Sequence, residues 1–209
     1  MIYNDQFVWL HFPKCAGSKI ESIFQAYFAD NKSLIQDPVG LKYDPTIAWH
    51  DSIEQRSERD ASFKLGERTV ICSFRKLPSW LISRYSFEFQ RSPDLKHDPE
   101  LLLEGRFLRR DGRQMHADAL AAKYLSPQIL GLGRVEFIRV EYFERDFRSI
   151  FGKFVDLSKI PESEYESKVN KSEHFIPESI RTRLLNNNGE IYEKCPYWRH
   201  VEGMAYSTE

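Results

Sequence analysis

The chain has 209 residues, of which 41% are hydrophobic and 29% charged, enough for one globular domain spanning 1–209 around a continuous core. Thirty Lys and Arg against 31 Asp and Glu leave a formal net charge of −1, which argues against a broad polyanion surface and against nucleic acid as a partner, but leaves room for a local anion site. Three cysteines without a CxxC pair (Cys15, Cys72, Cys195) argue against a disulfide framework or cysteine zinc site, and no apolar run reaches bilayer length, so a cytoplasmic protein without a membrane partner is expected.

In chain order, Phe7 to Phe12 is an aromatic and β-branched run broken by Pro13, which predicts a buried strand entering a turn. Ile20, Ile23, Phe24, Tyr27 and Phe28 fall at helical spacing and predict a helix from about Ser18. Asn31 to Pro45 reads as a loop, and His50 to Asp60 as the start of a surface helix. Thr69 to Phe74 predicts a second strand, ending at Arg75, with Pro78 in the first turn of the next helix. Gln114 to Leu125 predicts a helix, Val135 to Val140 a third strand, and Tyr142 to Phe154 an amphipathic helix. A last long helix is expected from Pro177 to about Lys194, with a possible kink at Asn186-Asn187-Asn188-Gly189. Strands alternating with helices imply an α/β fold with a mainly parallel sheet covered by helices on both faces.

Pro13-Lys14-Cys15-Ala16-Gly17-Ser18-Lys19 joins the first strand to its helix. Small residues there can turn backbone N–H groups toward an anion, the helix N-terminus adds partial positive charge, Lys14 a full one and Ser18 a hydroxyl. A Walker A loop needs G-x-x-x-x-G-K-[ST]; here Phe12 takes the first glycine position and Ser18 separates Gly17 from Lys19, which disfavours an ordinary nucleotide triphosphatase. The window Leu10 to Ile20 instead resembles the 5′-phosphosulfate loop, H-x-P-K-T-A-G-T-S, of the carbohydrate-type (heparan and chondroitin) sulfotransferases, which use 3′-phosphoadenosine-5′-phosphosulfate (PAPS). Cys15 and Ser18 stand where that pattern has threonines, and Lys19 where it has Ser or Thr.

After the second strand, Arg75, Ser83 and Tyr85 fall in step with the family's 3′-phosphate segment, R-D-P-x-x-R-x-x-S-x-Y, while Lys76, Pro78 and Trp80 depart from it. Between the two segments, Trp49-His50-Asp51-Ser52-Ile53 resembles K-H-x-x-A, and Arg139 to Phe147 resembles R-x-E-x-L-x-x-D-F, followed by Asn170-Lys171-Ser172 and a helix carrying Tyr192. The resemblance implies a P-loop-like sulfotransferase fold and sulfuryl transfer from PAPS to the hydroxyl of a small molecule or glycan. It assigns Lys14, Cys15, Ala16, Gly17, Ser18, Lys19, Arg75 and Ser83 to the donor. Lys14 would stabilise the leaving 5′-phosphate, and His50 would act as base. Glu141, at the end of the third strand, is the competing base. No metal is required, and the other product would be 3′-phosphoadenosine-5′-phosphate.

Two rivals remain. A P-loop small-molecule kinase using ATP and magnesium would want a strand ending in aspartate, and only Glu141 approaches that. A non-catalytic member of the family would bind a nucleotide without turnover, a reading prompted by Lys19, Trp49 and Lys76-Leu77-Pro78. The acceptor would be read by variable loops, expected at Asp30 to Ala48 and Arg91 to Met115, the latter carrying Arg106, Arg109, Arg110 and Arg113.

Overall fold

The computed structural model describes residues 1–37, 50–166, 175–186 and 188–207. Its elements, in order, are β1 (Ile2–Tyr3), β2 (Phe7–Leu10), α1 (Gly17–Phe28), β3 (Ile35–Gln36), α2 (Ile53–Arg59), β4 (Thr69–Phe74), α3 (Leu77–Arg91), β5 (Arg106–Leu108), β6 (Gln114–His116) and α4 (Ala117–Tyr124). They continue with α5 (Pro127–Leu130), β7 (Val135–Arg139), α6 (Phe143–Phe151), α7 (Glu162–Glu166), α8 (Glu178–Asn186), α9 (Asn188–Lys194) and α10 (Pro196–Tyr206). The chain gathers into two compact units, Met1–Phe74 with Tyr124–Val169, and Arg75–Lys123 with Asn170–Glu209.

The first unit is an α/β layer on a five-stranded sheet of order β3-β1-β2-β4-β7. β2, β4 and β7 are parallel neighbours, whereas β1 pairs antiparallel with β2 and β3, so the sheet is mixed with a parallel centre. All four residues of β2 are buried, as a strand covered on both faces requires. On one face Phe7, Trp9, Ile71 and Ile138 pack with Ile20, Ile23 and Phe24 of α1 and Phe147, Ile150 and Phe151 of α6. On the other, Phe12, Phe74, Tyr124 and Phe137 form a chain of ring contacts with centroids 5.1 to 6.0 Å apart. Within this layer the rings of Phe12, just after β2, and Phe74, the last residue of β4, are 5.6 Å apart.

A fork locks β7 to α6. Arg139 donates through Nε and Nη2 to the two carboxylate oxygens of Asp146 at 2.6 and 2.8 Å, and its backbone N–H adds a third bond at 3.0 Å. Burial works to raise the Asp146 carboxyl, and these donors outweigh it, so the group lies below the ordinary carboxylate range. The Arg139 to Phe147 motif is therefore accounted for by packing as well as by resemblance.

The second unit contains α3, the β5–β6 hairpin and the carboxy-terminal helices. Here the sequence reading needs two corrections. Gln114 to His116 pair antiparallel with Arg106 to Leu108 instead of starting a helix, because Asp111-Gly112 makes the turn, with Gly112 at φ 77°. The expected helix from 177 to 194 is divided into α8 and α9, and a further helix, α10, begins at Pro196. No described helix is long and apolar enough to cross a membrane.

Candidate functional site

The loop between β2 and α1 is strained in a specific way. Lys14 (φ 64°) and Ala16 (φ 59°) are the two non-glycine residues with positive φ among the described residues. A left-handed residue of this kind costs on the order of 1–3 kcal/mol and persists only where its surroundings enforce it. The Cys15 N–H is spent on the Phe12 carbonyl at 3.4 Å and the Lys19 N–H on the Ala16 carbonyl at 3.0 Å, so the N–H groups of Gly17 and Ser18 at the start of α1 are the loop's candidate anion donors. α1 then starts at Gly17 with no side-chain cap and no acidic residue in its first turn, so no carboxylate there offsets the positive end of the helix. Lys14 is half-buried, Ser18 exposed and Cys15 fully buried.

Beneath the loop lies a buried polar chain. The His11 imidazole packs directly on Gly17: a Cβ there would lie 2.0 Å from His11 Nε2. Nδ1 of the same ring is 2.6 Å from Glu21 Oε1, and the two residues are only 4% and 6% exposed. His50 Nδ1 lies 3.0 Å from the His11 carbonyl oxygen, and the rings of the two histidines are 4.3 Å apart. A carbonyl can only accept, so Nδ1 of His50 carries the proton and Nε2 the lone pair. Tyr124 donates its hydroxyl to the His50 carbonyl at 2.8 Å, fixing the backbone as well. Burial depresses both imidazoles to a pKa of about 3, helped at His50 by the adjacent His11 and at His11 by the Met1 ammonium. Burial raises the Glu21 carboxyl to about 7.

The fold thus ties His50 to the residue three positions before Lys14. Lys19 is engaged elsewhere, donating to the Tyr165 carbonyl with its ammonium 4.7 Å from the centre of the Phe143 ring. Glu141 is exposed at the carboxyl end of β7, with β4 between that strand and β2. Trp49, the loop residues from 38 onward and Asn170-Lys171-Ser172 lie outside the described residues.

Arg75 opens the second unit. Its carbonyl accepts the Trp198 indole N–H at 3.3 Å, while its own Nε is buried and has no hydrogen-bond partner. A buried donor left unmet costs roughly 1–3 kcal/mol; Arg56 Nε shares this state, so the orphan makes Arg75 one candidate anion contact and does not single it out. Ser83 is buried two turns along α3. Trp80, where the family pattern has its second arginine, is fully buried against Phe107 and Trp198 with centroids 5.5 and 4.5 Å away. Lys76 precedes α3 with its ammonium 5.2 Å from the centre of the Tyr206 ring.

One donor cluster in this unit has metal-ligating chemistry: atoms of His116, Asp118 and Cys195 all lie within 4.8 Å of one another. The Asp118 oxygens and one ring nitrogen of His116 already have internal tasks. The Asp118 oxygens accept the N–H groups of Tyr197 and Trp198 at 3.1 and 2.7 Å at the start of α10, and His116 Nδ1 accepts the Asp118 N–H at 3.2 Å. Burial, with the Asp118 charge, pushes the Cys195 thiol up to about 12.

Two residues of the first-unit cluster, Glu21 and the His11 side chain, were not singled out from the sequence. The signal for Glu21 was present: it falls with Ile20, Phe24 and Phe28 on the buried stripe of α1, where a carboxyl group needs a partner. Comparison of the chain with protein-family models, with curated proteins and with solved structures finds no match.

Proposed function

We propose that the chain is a PAPS-dependent sulfotransferase acting on a hydroxyl acceptor. The observation that carries this reading is the loop of Lys14 to Ser18, whose left-handed Lys14 and Ala16 enter an uncapped helix start beside a histidine of fixed tautomer. The orphaned Nε of Arg75, directly after β4, supports a second anion contact. A phosphate of a bisphosphorylated nucleotide needs backbone N–H groups and a cation, and the Lys14 to Ser18 loop offers both with no acidic side chain in the first turn of α1.

In this reading the acceptor oxygen bonds to sulfur as the bond from sulfur to the 5′-phosphate oxygen breaks. The acceptor proton passes to His50 Nε2, and the charge left on the phosphate is stabilised by Lys14 and the loop N–H groups. A neutral imidazole with so low a pKa is available as a base but a weak one, and the negative charge of a bound donor raises it. The acceptor class is a hydroxyl compound, with a glycan first to be tested.

The test is transfer of labelled sulfate from PAPS, read beside calorimetric binding of 3′-phosphoadenosine-5′-phosphate. Lys14→Ala is expected to lower turnover by about 100-fold or more, the scale of one lost transition-state contact, with product binding weakened less. Arg75→Ala is expected to weaken binding chiefly. Unchanged turnover in Lys14→Ala would refute the assignment, as would tighter binding of ATP with magnesium than of the bisphosphate. Binding without transfer across a broad acceptor panel would instead identify a non-catalytic nucleotide binder.

A further inference from the structure

We infer that Glu21 is a positioning residue of this site: through His11 it sets whether that imidazole presents a donor or an acceptor edge to the loop, and with it the pH range in which the loop takes an anion. Its catalytic meaning rests on the reading above; its geometry does not.

An oxygen and a ring nitrogen 2.6 Å apart, both shielded from water, must share a proton, and there are two ways to do so. If the carboxyl is protonated, its O–H donates to His11 Nδ1. The proton of the neutral ring is then on Nε2, the atom that lies against Gly17 at the helix start. If the carboxyl is ionised, His11 Nδ1–H donates to it, Nε2 becomes a lone pair, and a negative charge sits under the loop. Either way the short bond is kept, so loss of one proton from Glu21 reverses the polarity of the ring edge with little movement of atoms. The first state favours an anion in the loop and the second opposes it.

The change falls near neutrality. Burial raises Glu21 to about 7, opposed by the Met1 ammonium and His50 and assisted by Asp37. That ammonium is 3.1 Å from Asp37, which also accepts from Arg56 of α2, so the positive charges nearest the pair are partly offset. His50 holds its own tautomer through the His11 carbonyl, which does not change when the His11 ring does.

The experiment is a long-range proton–nitrogen spectrum of the imidazoles in the 209-residue chain from pH 5.5 to 8.5, for the wild type and Glu21→Gln. In the wild type the His11 proton is expected to cross from Nε2 to Nδ1 with a midpoint near 7, while His50 remains protonated on Nδ1. Glu21→Gln keeps a hydrogen-bonding partner but cannot ionise, so its His11 is expected not to cross. A wild-type His11 of constant tautomer, or a crossing that persists in Glu21→Gln, would overturn the assignment. If Glu21→Gln does not fold, the wild-type spectrum decides alone. In parallel, the affinity for 3′-phosphoadenosine-5′-phosphate between pH 6 and 8 is expected to fall by about tenfold more in the wild type than in Glu21→Gln, the weight of one nearby charge. Equal pH dependence in the two proteins would count against the link to the loop. Should the bisphosphate bind neither protein at any pH, the sulfotransferase reading falls, and the tautomer crossing still judges Glu21.

Discussion

Gly17 has an imidazole where its side chain would be, and this makes it the most constrained residue of the candidate site. Gly17→Ala must displace His11, whose ring is held by Glu21, so overpacking is expected to cost roughly 1–3 kcal/mol and to release the left-handed loop. Chemical denaturation and bisphosphate binding of the variant measure both effects. The histidines also give stability a definite pH dependence. Folding lowers His11 and His50 from 6.5 to about 3 and raises Glu21 from 4.5 to about 7. Between about pH 4.5 and 6.5, unfolding lets two imidazoles gain protons and one carboxyl lose its proton, a net uptake of one, so stability rises with pH across that window. Melting temperatures in the wild type are expected to climb through it, and in His50→Gln, where uptake and release balance, to be nearly flat. The residue identities of the loop were visible in the sequence. The Glu21–His11 pair was not, because the partners are ten positions apart on different elements and meet only when the helix folds back on the sheet.

Among the elements, β4 runs over the residues expected for it, and α1 and β7 lie within one residue of their expected starts, since an unbroken apolar run or a clear helical stripe is decided by local pattern. The β5–β6 hairpin was misread because Ala117 to Tyr124 is helical and its three preceding residues have no pattern of their own; pairing with Arg106 to Leu108 decides their state. Joining β7 to α6 depends on the Arg139–Asp146 fork. Asp146→Ala removes the carboxylate that the buried Arg139 fork grips and is expected to cost about 3–5 kcal/mol, while Arg139→Met combined with Asp146→Leu is expected to recover most of that. Urea unfolding of the two variants measures the difference.

Over the whole chain, Cys15, Cys72 and Cys195 are fully buried, two in the first unit and one in the second. No thiol is expected to react with an aromatic disulfide reagent under native conditions, and labelling along a denaturant series, mapped by mass, reports the opening of each unit by its own cysteine. The α/β class and parallel sheet centre were legible in the alternation of elements. The division into two units was not, because each is assembled from separate stretches of chain and no linker composition marks the joins. The packing of Trp80 closes its position to charge. Its indole fills the space between Phe107 and Trp198, so Trp80→Arg would set a guanidinium among rings and destabilise the unit. Any cation that meets an anion beside α3 has to stand at another position, one whose side chain already reaches water.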